Sequence, residues 1–433
     1  MLSKDAMNKK IIDRVFELSI RAKESVEKYG QEKVINATIG SLYGEDNKLV
    51  VYDVVTETYY AQEPADFAAY AASLTGSDEF KESVKVSTFG ENYKEDFKGH
   101  YLEVIATPGG TGALSNTIKN YLNNGETVLI PEWLWEPYKS IISDNQKTFD
   151  SYKVFDENGN FNLNDVEKKL NEVAAKQETI MILINDPCQN PTGYKLTREE
   201  WEKLFEIFEE IAKTKEIVLI NDIAYIDYDP GINKEEYMEI FKNRPKNILT
   251  VFTFSISKSL TSYGLRVGAQ IALTRDETIA RDFNEVCSFS CRSTWSNVSK
   301  GGMKMYSDIV LNKEKYKRLK EEREKYVNLL KERADIFLKE AKEIGLEILP
   351  YKSGFFLSIP TYELTEKVGY ILADENIFTV IAEKWVRIAL CSVPKAKVWG
   401  LAGKVKEAVD RAKEIGTKEL ERDGGNVECE GCC

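Results

Sequence analysis

Short apolar runs of strand length, alternating with longer segments of helical period, most constrain how this chain can fold. Most of the runs do not alternate between apolar and polar residues, so both of their faces are expected to be buried. The runs are Val104–Ala106, Val128–Ile130, Ile180–Ile184, Ile217–Ile220 and Ile248–Phe254, and helices are expected at Leu163–Ala175 and Thr197–Lys213. Buried strands alternating with helices predict an α/β fold, with a mostly parallel, doubly wound sheet.

The pattern changes after residue 312. A long, charged, amphipathic segment, Lys313–Ile344, precedes two short predicted strands and a final helix, which are Gly354–Ile359, Trp385–Leu390 and Val398–Ile415. This order predicts a smaller α+β domain. The predicted ranges are 1–60 for an N-terminal segment packing with the small domain, 61–312 for the large domain, 313–425 for the linking helix and small domain, and 426–433 for a cysteine-rich tail expected to be disordered.

Composition and charge exclude several classes of function. The chain has 71 acidic and 59 basic residues and a net charge of -12, which argues against a nucleic-acid or anionic-membrane surface. No apolar run approaches the ~18 residues that span a bilayer, and the N-terminus lacks the apolar core of a signal peptide. Seven cysteines, an odd number and mostly scattered, fit a reducing compartment. A cytoplasmic location is therefore predicted.

Polar or aromatic side chains follow each of the first five predicted strands. The first is a glycine-rich turn, Thr107–Gly112, which opens a helix and suits an anion. The later strands are followed by Trp133 and Trp135, by Asn190, by Asp222 with Tyr225, and by Ser255 with Lys258. Each segment alone has an ordinary explanation as a turn, a helix cap or a core residue. Because ligands bind at the carboxyl ends of parallel strands, their convergence predicts one binding site.

Arg266 follows Lys258 by eight residues and precedes another apolar run, Val267–Leu273. Parallel neighbouring strands need a connection of a dozen or more residues, so this short connection predicts an antiparallel strand. Arg266 would then return to the sheet edge that carries Lys258. A lysine amine, hydroxyls and an arginine are the groups that a Schiff-base lysine beside a cofactor phosphate requires.

Two other kinds of site fit less well. A nicotinamide site would not need the lysine. A metal site would need clustered histidines and acids, and the only histidine is His100, so no metal is predicted. The tail cysteines Cys429, Cys432 and Cys433 could bind a soft metal ion, although free thiols in a frayed terminus are the simpler interpretation.

Taken together, these segments resemble the class I aminotransferases, which use pyridoxal 5'-phosphate and have the aspartate aminotransferase-like fold (fold type I). The resemblance runs from about Asn36 to Arg387. It is carried by Thr107–Leu114, Asn190–Gly193, Asp222–Tyr225, Ser255–Lys258 with Arg266, Arg387, Tyr70 in Tyr70–Gly76, and Arg292 in Cys291–Asn297.

The resemblance implies catalytic and cofactor-binding roles. Lys258 would bind the cofactor as a Schiff base and then move the α-proton of the substrate. Asp222 would keep the pyridine nitrogen protonated, while Tyr225 and Asn190 would hydrogen-bond the ring oxygen. The remaining cofactor contacts would be Trp135 against the ring, Gly110, Thr111, Ser255 and Arg266 at the phosphate, and Tyr70 from the other subunit of a homodimer.

The resemblance also implies how the substrate is bound. Arg387 would pair with its α-carboxylate, and Arg292, from the neighbouring subunit, with a distal carboxylate. Gly40, Asn190 and Trp135 complete the expected substrate contacts. Four residues depart from the family pattern. Relatives with acidic substrates often carry a histidine where this chain has Tyr138, Thr38 stands where a glycine is common, and Thr261-Ser262 is unusual after the lysine.

The function predicted from the resemblance is transfer of an amino group between an acidic amino acid, aspartate or glutamate, and a 2-oxo acid. An aromatic amino acid is the nearest alternative. A β-lyase or aspartate β-decarboxylase would use the same cofactor and fold. A non-catalytic ligand-sensing module is the alternative from another class, and it would need a DNA-binding segment that is not evident before residue 60.

Overall fold

The computed structural model describes residues 1–7, 9 and 14–424, and the tail cysteines lie outside this range. The strands are β1 (Ile35–Asn36), β2 (Tyr101–Thr107), β3 (Thr127–Pro131), β4 (Thr148–Tyr152), β5 (Thr179–Asn185), β6 (Glu216–Asp222), β7 (Ile248–Ser255), β8 (Gly268–Thr274), β9 (Phe356–Pro360), β10 (Ile377–Phe378), β11 (Val380–Ile381) and β12 (Trp385–Ala389).

The helices are α1 (Lys4–Met7), α2 (Arg14–Tyr29), α3 (Asp53–Tyr60), α4 (Pro64–Ala68), α5 (Asp78–Phe89), α6 (Tyr93–Asp96), α7 (Gly109–Tyr121), α8 (Pro137–Asp144), α9 (Leu163–Ala174), α10 (Arg198–Ile211), α11 (Lys234–Glu239), α12 (Ile256–Ser259), α13 (Glu277–Thr294), α14 (Lys300–Val310), α15 (Lys313–Glu343), α16 (Thr365–Asp374), α17 (Lys395–Val398) and α18 (Leu401–Gly424). None of the helices in the described range is long and apolar enough to cross a membrane.

The chain divides into two compact units. One contains the described residues of Met1–Lys48, Glu332–Leu349 and Phe356–Cys433, and the other contains Leu49–Lys331 and Pro350–Phe355. The predicted ranges 1–60, 61–312 and 313–425 place the boundaries elsewhere, most visibly at α15, which contributes residues to both units. We refer to the unit that contains β2–β8 as the large unit and to the other as the small unit.

The large unit contains a seven-stranded sheet in the order β2-β8-β7-β6-β5-β3-β4. The neighbours from β7 to β4 are parallel, and β8 alone is antiparallel, pairing with β7 on one side and β2 on the other. All eight residues of β7 are buried, as its apolar sequence predicts. The α/β fold class and the antiparallel strand after Lys258 are therefore confirmed.

Helix α7 is fixed to the sheet by its apolar face. Leu114 and Ile118 are buried in one cluster with Val128, Ile130 and Leu183 from the parallel strands. Burial of such side chains contributes roughly 1.5–3 kcal/mol each. This packing holds the first turn of α7 directly after the end of β2, where the glycine-rich turn lies.

The small unit contains two sheets of its own. Strand β9 pairs antiparallel with β12, which also pairs with β11, and β1 pairs in parallel with β10. The pairing sets Arg387 opposite Ser358 and next to Val380 across the sheet. Helix α2 packs against β10 and β11 through apolar residues that include Leu18 and Ala22.

Candidate active site

The ends of several strands in the large unit enclose one cavity of about 310 Å³. Its lining contains cationic, acidic, amide, hydroxyl and aromatic side chains. The lining residues are Gly110, Thr111, Leu114, Trp135, Tyr138, Asn185, Asn190, Asp222, Ala224, Tyr225, Ser255, Ser257, Lys258, Tyr263 and Arg266. The cavity thus brings together nine of the predicted site residues.

One side of the cavity is built to hold an anion. Helix α7 begins at Gly109, and Gly110 and Thr111 in its first turn line the cavity, where backbone N–H groups have no partner within the helix. Gly109 has a φ of 71°, and a Cβ atom there would lie 2.7 Å from Nη2 of Arg266. Glycine therefore lets the turn approach the guanidinium closely.

Strand β8 returns the arginine to this side. Gly268 at its start pairs with both Thr107 and Ser255, because β8 lies between β2 and β7. Nη1 of Arg266 donates to Oγ of Ser257 at 3.2 Å and to the Tyr263 carbonyl at 3.0 Å. The guanidinium, two serine hydroxyls and a helix N-terminus together suit a phosphate group.

Lys258 lies in the single turn α12, directly after β7. Its Nζ is 4.5 Å from the centre of the Tyr263 ring and 5.6 Å from that of the Tyr225 ring. The centre of the Phe355 ring lies 5.9 Å from the same nitrogen. Aromatic faces attract an ammonium group without forming a covalent or ionic bond, so they can steady a lysine side chain that must move.

Asp222 ends β6 and is 7% exposed. The Tyr138 hydroxyl donates to its Oδ2 at 2.6 Å, and the backbone N–H of Ala224 donates to Oδ1 at 3.1 Å. Burial raises the pKa of this carboxyl above its usual range, and the hydrogen bond from Tyr138 offsets part of that rise. These hydrogen bonds come from neutral groups, so a cationic N–H from a ligand would stabilise the carboxylate further.

The sequence alone did not identify Asn185 or Tyr263 as site residues. Nδ2 of Asn185 donates to the Asp222 carbonyl at 2.7 Å, and its Oδ1 accepts from the backbone N–H of Asn190 at 2.7 Å. Asn185 therefore links two predicted site residues, Asp222 and Asn190, through hydrogen bonds to their backbones. A signal was present, because Asn185 is the first polar residue after the apolar run of β5.

Trp135 and Tyr138 form one aromatic wall of the cavity. Their ring centres are 5.4 Å apart and the rings are nearly perpendicular. Tyr138 is 1% exposed, and its hydroxyl, which is the polar group of its side chain, donates to Asp222. The departure from the family pattern at Tyr138 thus places a neutral phenol against the buried acid.

Tyr70 and Arg292 do not line the cavity. Tyr70 is 91% exposed, and Arg292 is exposed in the last turn of α13, where it donates to Oγ of Ser296 at 2.7 Å. The two segments are in contact, because Nδ2 of Asn297 donates to the Ala71 carbonyl at 3.0 Å. They therefore form one continuous surface of the large unit.

Arg387 and Gly40 belong to the small unit. The guanidinium carbon of Arg387 lies 4.1 Å from the centre of the Phe356 ring, and Nη2 donates to the Thr38 carbonyl at 3.3 Å. A Cβ atom on Gly40 would meet the same Phe356 ring at 3.4 Å. Stacking and this hydrogen bond orient the guanidinium, which binds planar carboxylates well. Their substrate-binding roles stay predictions.

Comparison with known proteins agrees with this chemistry. The family described as aminotransferase class I and II matches residues 32–405. The chain belongs to this family. It is accordingly a pyridoxal-phosphate-dependent aminotransferase with the fold type I architecture, which confirms the family, fold class, enzyme class and cofactor predicted from the sequence.

A solved aminotransferase structure from Anaerococcus prevotii is similar over nearly the whole chain. Its TM-score is 0.89 at 32% identity, with 94% of this chain and 98% of that chain covered. The aromatic-amino-acid aminotransferase of Escherichia coli is 25% identical over 74% of this chain and 81% of its own length. The aspartate aminotransferase of Sulfolobus acidocaldarius is 23% identical over 74% of this chain and 73% of its own length. The relatives thus differ in substrate.

The residues of the cavity fit the family cofactor. The phosphate requires anion-binding groups, and Arg266, Ser255 and the first turn of α7 would supply them. The ring nitrogen requires a buried acid, for which Asp222 is placed, and the aldehyde requires an amine, for which Lys258 is placed.

Proposed function

We propose that this aminotransferase acts on an acidic amino acid, aspartate or glutamate, and on a 2-oxo acid, as a homodimer whose sites are shared between subunits. The observation that carries the proposal is the position of Arg292. It is an exposed arginine beside exposed apolar residues, on the same unit as the cavity but outside it.

Bound pyridoxal phosphate supplies an electron sink that stabilises negative charge at the substrate α-carbon. The protein groups hold and direct it. The first turn of α7, Ser255 and Arg266 would bind the phosphate, and Trp135 would pack against the ring. Asp222, whose ionised form the Tyr138 hydroxyl stabilises, would accept a hydrogen bond from the ring nitrogen and so favour its protonated form. Tyr225 and Asn190 would hydrogen-bond the ring oxygen.

Lys258 acts as both amine and base. Its amine would be the group that anchors the cofactor aldehyde until a substrate amine takes its place. As a free amine, Lys258 would take the proton from the substrate α-carbon and return it to the former aldehyde carbon, two atoms away. The aromatic rings of Tyr225 and Tyr263 lie within cation–π distance and steady the side chain during this transfer.

A second copy of the chain is the partner that the Tyr70–Arg292 surface fits. Phe289 lies one helical turn before Arg292 and is 75% exposed, and Phe67 and Tyr70 are also largely exposed. A two-fold interface uses the same surface on both subunits, so each copy would give Tyr70 and Arg292 to the site of the other. Burial of the apolar residues would stabilise the dimer.

A subunit-mixing experiment tests this arrangement. Lys258→Ala and Arg292→Ala chains are each expected to be poor catalysts on aspartate, but a hybrid dimer has one site with an intact Lys258 and the partner subunit's Arg292. Co-refolding the two variants is therefore expected to restore activity on aspartate. If Arg292 serves its own chain, no hybrid site is complete and mixing restores nothing.

Substrate preference is tested with Arg292→Ala. Removing one partner of a buried charge pair typically costs ~2–5 kcal/mol, and each ~1.4 kcal/mol corresponds to a factor of ten. kcat/KM for aspartate is expected to fall at least roughly tenfold to a thousandfold, while that for phenylalanine falls much less or rises. Arg281→Ala, an exposed arginine on the same helix, is the control. Equal losses on both substrates would show that Arg292 has a structural role.

An aromatic amino acid is the second candidate substrate. It is favoured by the relatives named as aromatic-amino-acid aminotransferases, which match as well as those named for aspartate. Screening single amino acids for the absorbance change of the bound cofactor distinguishes the two. A change with phenylalanine or tyrosine and none with aspartate or glutamate would select the aromatic alternative.

A further inference from the structure

The single turn that carries Lys258 is held from outside by buried polar groups. Helix α12 has four residues, and Thr261, shortly after it, has a φ of 49°, so no longer helix continues and supports the turn. The carbonyl of Lys258 accepts a hydrogen bond from the Tyr228 hydroxyl at 3.0 Å. The carbonyl of Ser259 accepts one from Nη2 of Arg323 at 2.9 Å.

The tyrosine contact is the end of a short chain of hydroxyls. Tyr52 and Tyr228 are each 1% exposed, and their hydroxyl oxygens are 2.9 Å apart. A hydroxyl has one proton to donate, so if Tyr228 donates to the Lys258 carbonyl then Tyr52 must donate to Tyr228. The Phe355 ring also packs against the Tyr228 ring in a T-shaped pair, with ring centres 4.6 Å apart. The phenol is therefore oriented toward the lysine turn.

The arginine contact depends on a buried ion pair. Nη1 of Arg323 pairs with Asp227, which also pairs with Lys234 at 2.6 Å. Burial would raise the pKa of Asp227, but Arg323 and Lys234 more than offset this and hold it below its usual value. Asp227 therefore stays ionised and fixes the plane of the guanidinium, whose other nitrogen reaches Ser259.

Stability alone does not explain this arrangement. Replacing buried ion pairs by apolar residues of similar volume is often neutral or stabilising. Here, moreover, Nε of Arg323 is buried with no hydrogen-bond partner among the described residues, which adds a cost. The same groups nevertheless converge on two adjacent carbonyls of the turn that carries the reactive amine.

We propose that Tyr52, Tyr228, Asp227, Lys234 and Arg323, here called the carbonyl clamp, are positioning residues for Lys258. The inference rests on the proposed role of Lys258 as anchor and base. A lysine amine that leaves and returns to the same reacting atoms needs a fixed backbone beneath a mobile side chain, since a displacement of about 1 Å can cost about a hundredfold in rate. The clamp fixes that backbone through its carbonyl oxygens.

Hydrogen exchange of the holoenzyme tests the clamp without reference to turnover. Tyr228→Phe removes the bond to the Lys258 carbonyl and keeps the ring. Amide exchange in the segment 256–262, where the Thr261 N–H also bonds the Lys258 carbonyl, is expected to become roughly two- to tenfold faster, as loss of one buried hydrogen bond implies. Tyr152→Phe is the matched control, because that buried phenol donates to the Leu183 carbonyl at 3.1 Å. It should leave exchange at 256–262 unchanged.

Kinetics provide the second measurement. In Tyr228→Phe, kcat is expected to fall at least roughly tenfold while KM for the amino acid changes less than about twofold, since the substrate contacts remain. Arg323→Lys keeps the charge beside Asp227 but loses the planar fork, and it should show the same pattern. If Tyr228→Phe does not fold, Arg323→Lys can be measured in its place.

Two results would overturn the proposal. One is unchanged exchange at 256–262 in both clamp variants. The other is equally faster exchange in Tyr152→Phe, which would indicate general loosening of the fold. A wild-type protein that transaminates no amino acid would refute the proposed function instead, and the exchange comparison would still decide whether the clamp holds the turn.

Discussion

Substitution of Tyr138 by Phe is expected to make the stability of this protein depend more strongly on pH. The Tyr138 hydroxyl donates to Oδ2 of Asp222 at 2.6 Å, and both groups are buried. Phe keeps the ring packed against Trp135 but leaves the carboxylate with one donor fewer. The effect should therefore fall on Asp222 and on its ionised form in particular.

The magnitude follows from the two protonation states. A hydrogen bond to a charged group contributes ~1.5–3 kcal/mol, and one to a neutral group ~0.5–1.5 kcal/mol. Loss of the phenol should thus cost about 1–1.5 kcal/mol more when Asp222 is ionised than when it is protonated. That difference corresponds to a further rise in the pKa of Asp222.

The sign follows from proton binding. The pKa of Asp222 is already raised in the folded state by burial, so the folded protein holds this proton to higher pH than the unfolded chain does. Stability contributed by this group is present below the unfolded pKa and is lost as pH rises through the folded pKa. Tyr138→Phe raises the folded pKa further, so the variant should lose more stability than the wild type as pH rises.

Urea unfolding of the cofactor-free protein at a series of pH values measures this difference. The gap between the wild-type and Tyr138→Phe midpoints should widen with pH and then level off above the folded pKa of Asp222. Tyr152→Phe, whose phenol donates to an uncharged carbonyl, should show a gap that does not change with pH. A Tyr138→Phe gap that is constant across the range would refute the reasoning, because the cost of losing the hydroxyl would then not depend on the charge of Asp222.

Three further substitutions test other parts of the site. Lys258→Ala should abolish transamination while cofactor still binds, because the phosphate, ring and Asp222 contacts remain. Borohydride should fix cofactor to the wild type only. Unchanged turnover in the variant would contradict the assignment of Lys258. Asp222→Ala should fold normally yet lose several orders of magnitude in kcat, measured with saturating cofactor; a loss below tenfold would contradict its role at the ring nitrogen. Gly109→Ala should lower the free energy of unfolding by about 1–2 kcal/mol, because Gly109 has a positive φ. It should also weaken cofactor binding, because the added Cβ atom would displace Arg266. Unchanged cofactor affinity in equilibrium titration would argue against a contact between Arg266 and the phosphate.

Much of the large unit could be predicted from the sequence because its strands are buried on both faces. The five apolar runs each lie within a strand, and the antiparallel direction of β8 followed from the short connection after Lys258. Strand β4 was missed, since it lies at the sheet edge and its residues Thr148–Tyr152 are mostly polar and exposed. An edge strand carries no buried apolar pattern for such reasoning to detect.

The site residues likewise divide into those that the sequence pattern reveals and those that it does not. Residues at the ends of buried strands were predictable, because the sheet topology alone brings them together at one edge. Asn185 also ends a buried strand, so it was predictable by the same reasoning although it was not identified. Tyr263 and the clamp residue Arg323 were not predictable, because the position of Tyr263 depends on loop conformation and that of Arg323 on a distant helix packing against the turn. Nothing in the local pattern of α15 distinguishes Arg323 from the many other charged residues of that helix.

Two buried aspartates near the end of β6 have pKa values that shift in opposite directions, because their hydrogen-bond and ion-pair partners differ. Asp222 and Asp227 are both buried, and burial opposes ionisation of each. Asp227 meets Arg323 and Lys234, so its pKa falls below the usual value and it serves as a fixed negative charge. Asp222 is hydrogen-bonded by a phenol and a backbone N–H, which offset only part of the effect of burial, so its pKa stays above the usual value and its ionised form remains costly. A cationic N–H brought by a ligand lowers that cost directly. Asp222 is therefore the acid suited to bind a protonated ring nitrogen, whereas Asp227 is suited to orient the arginine that supports the lysine turn.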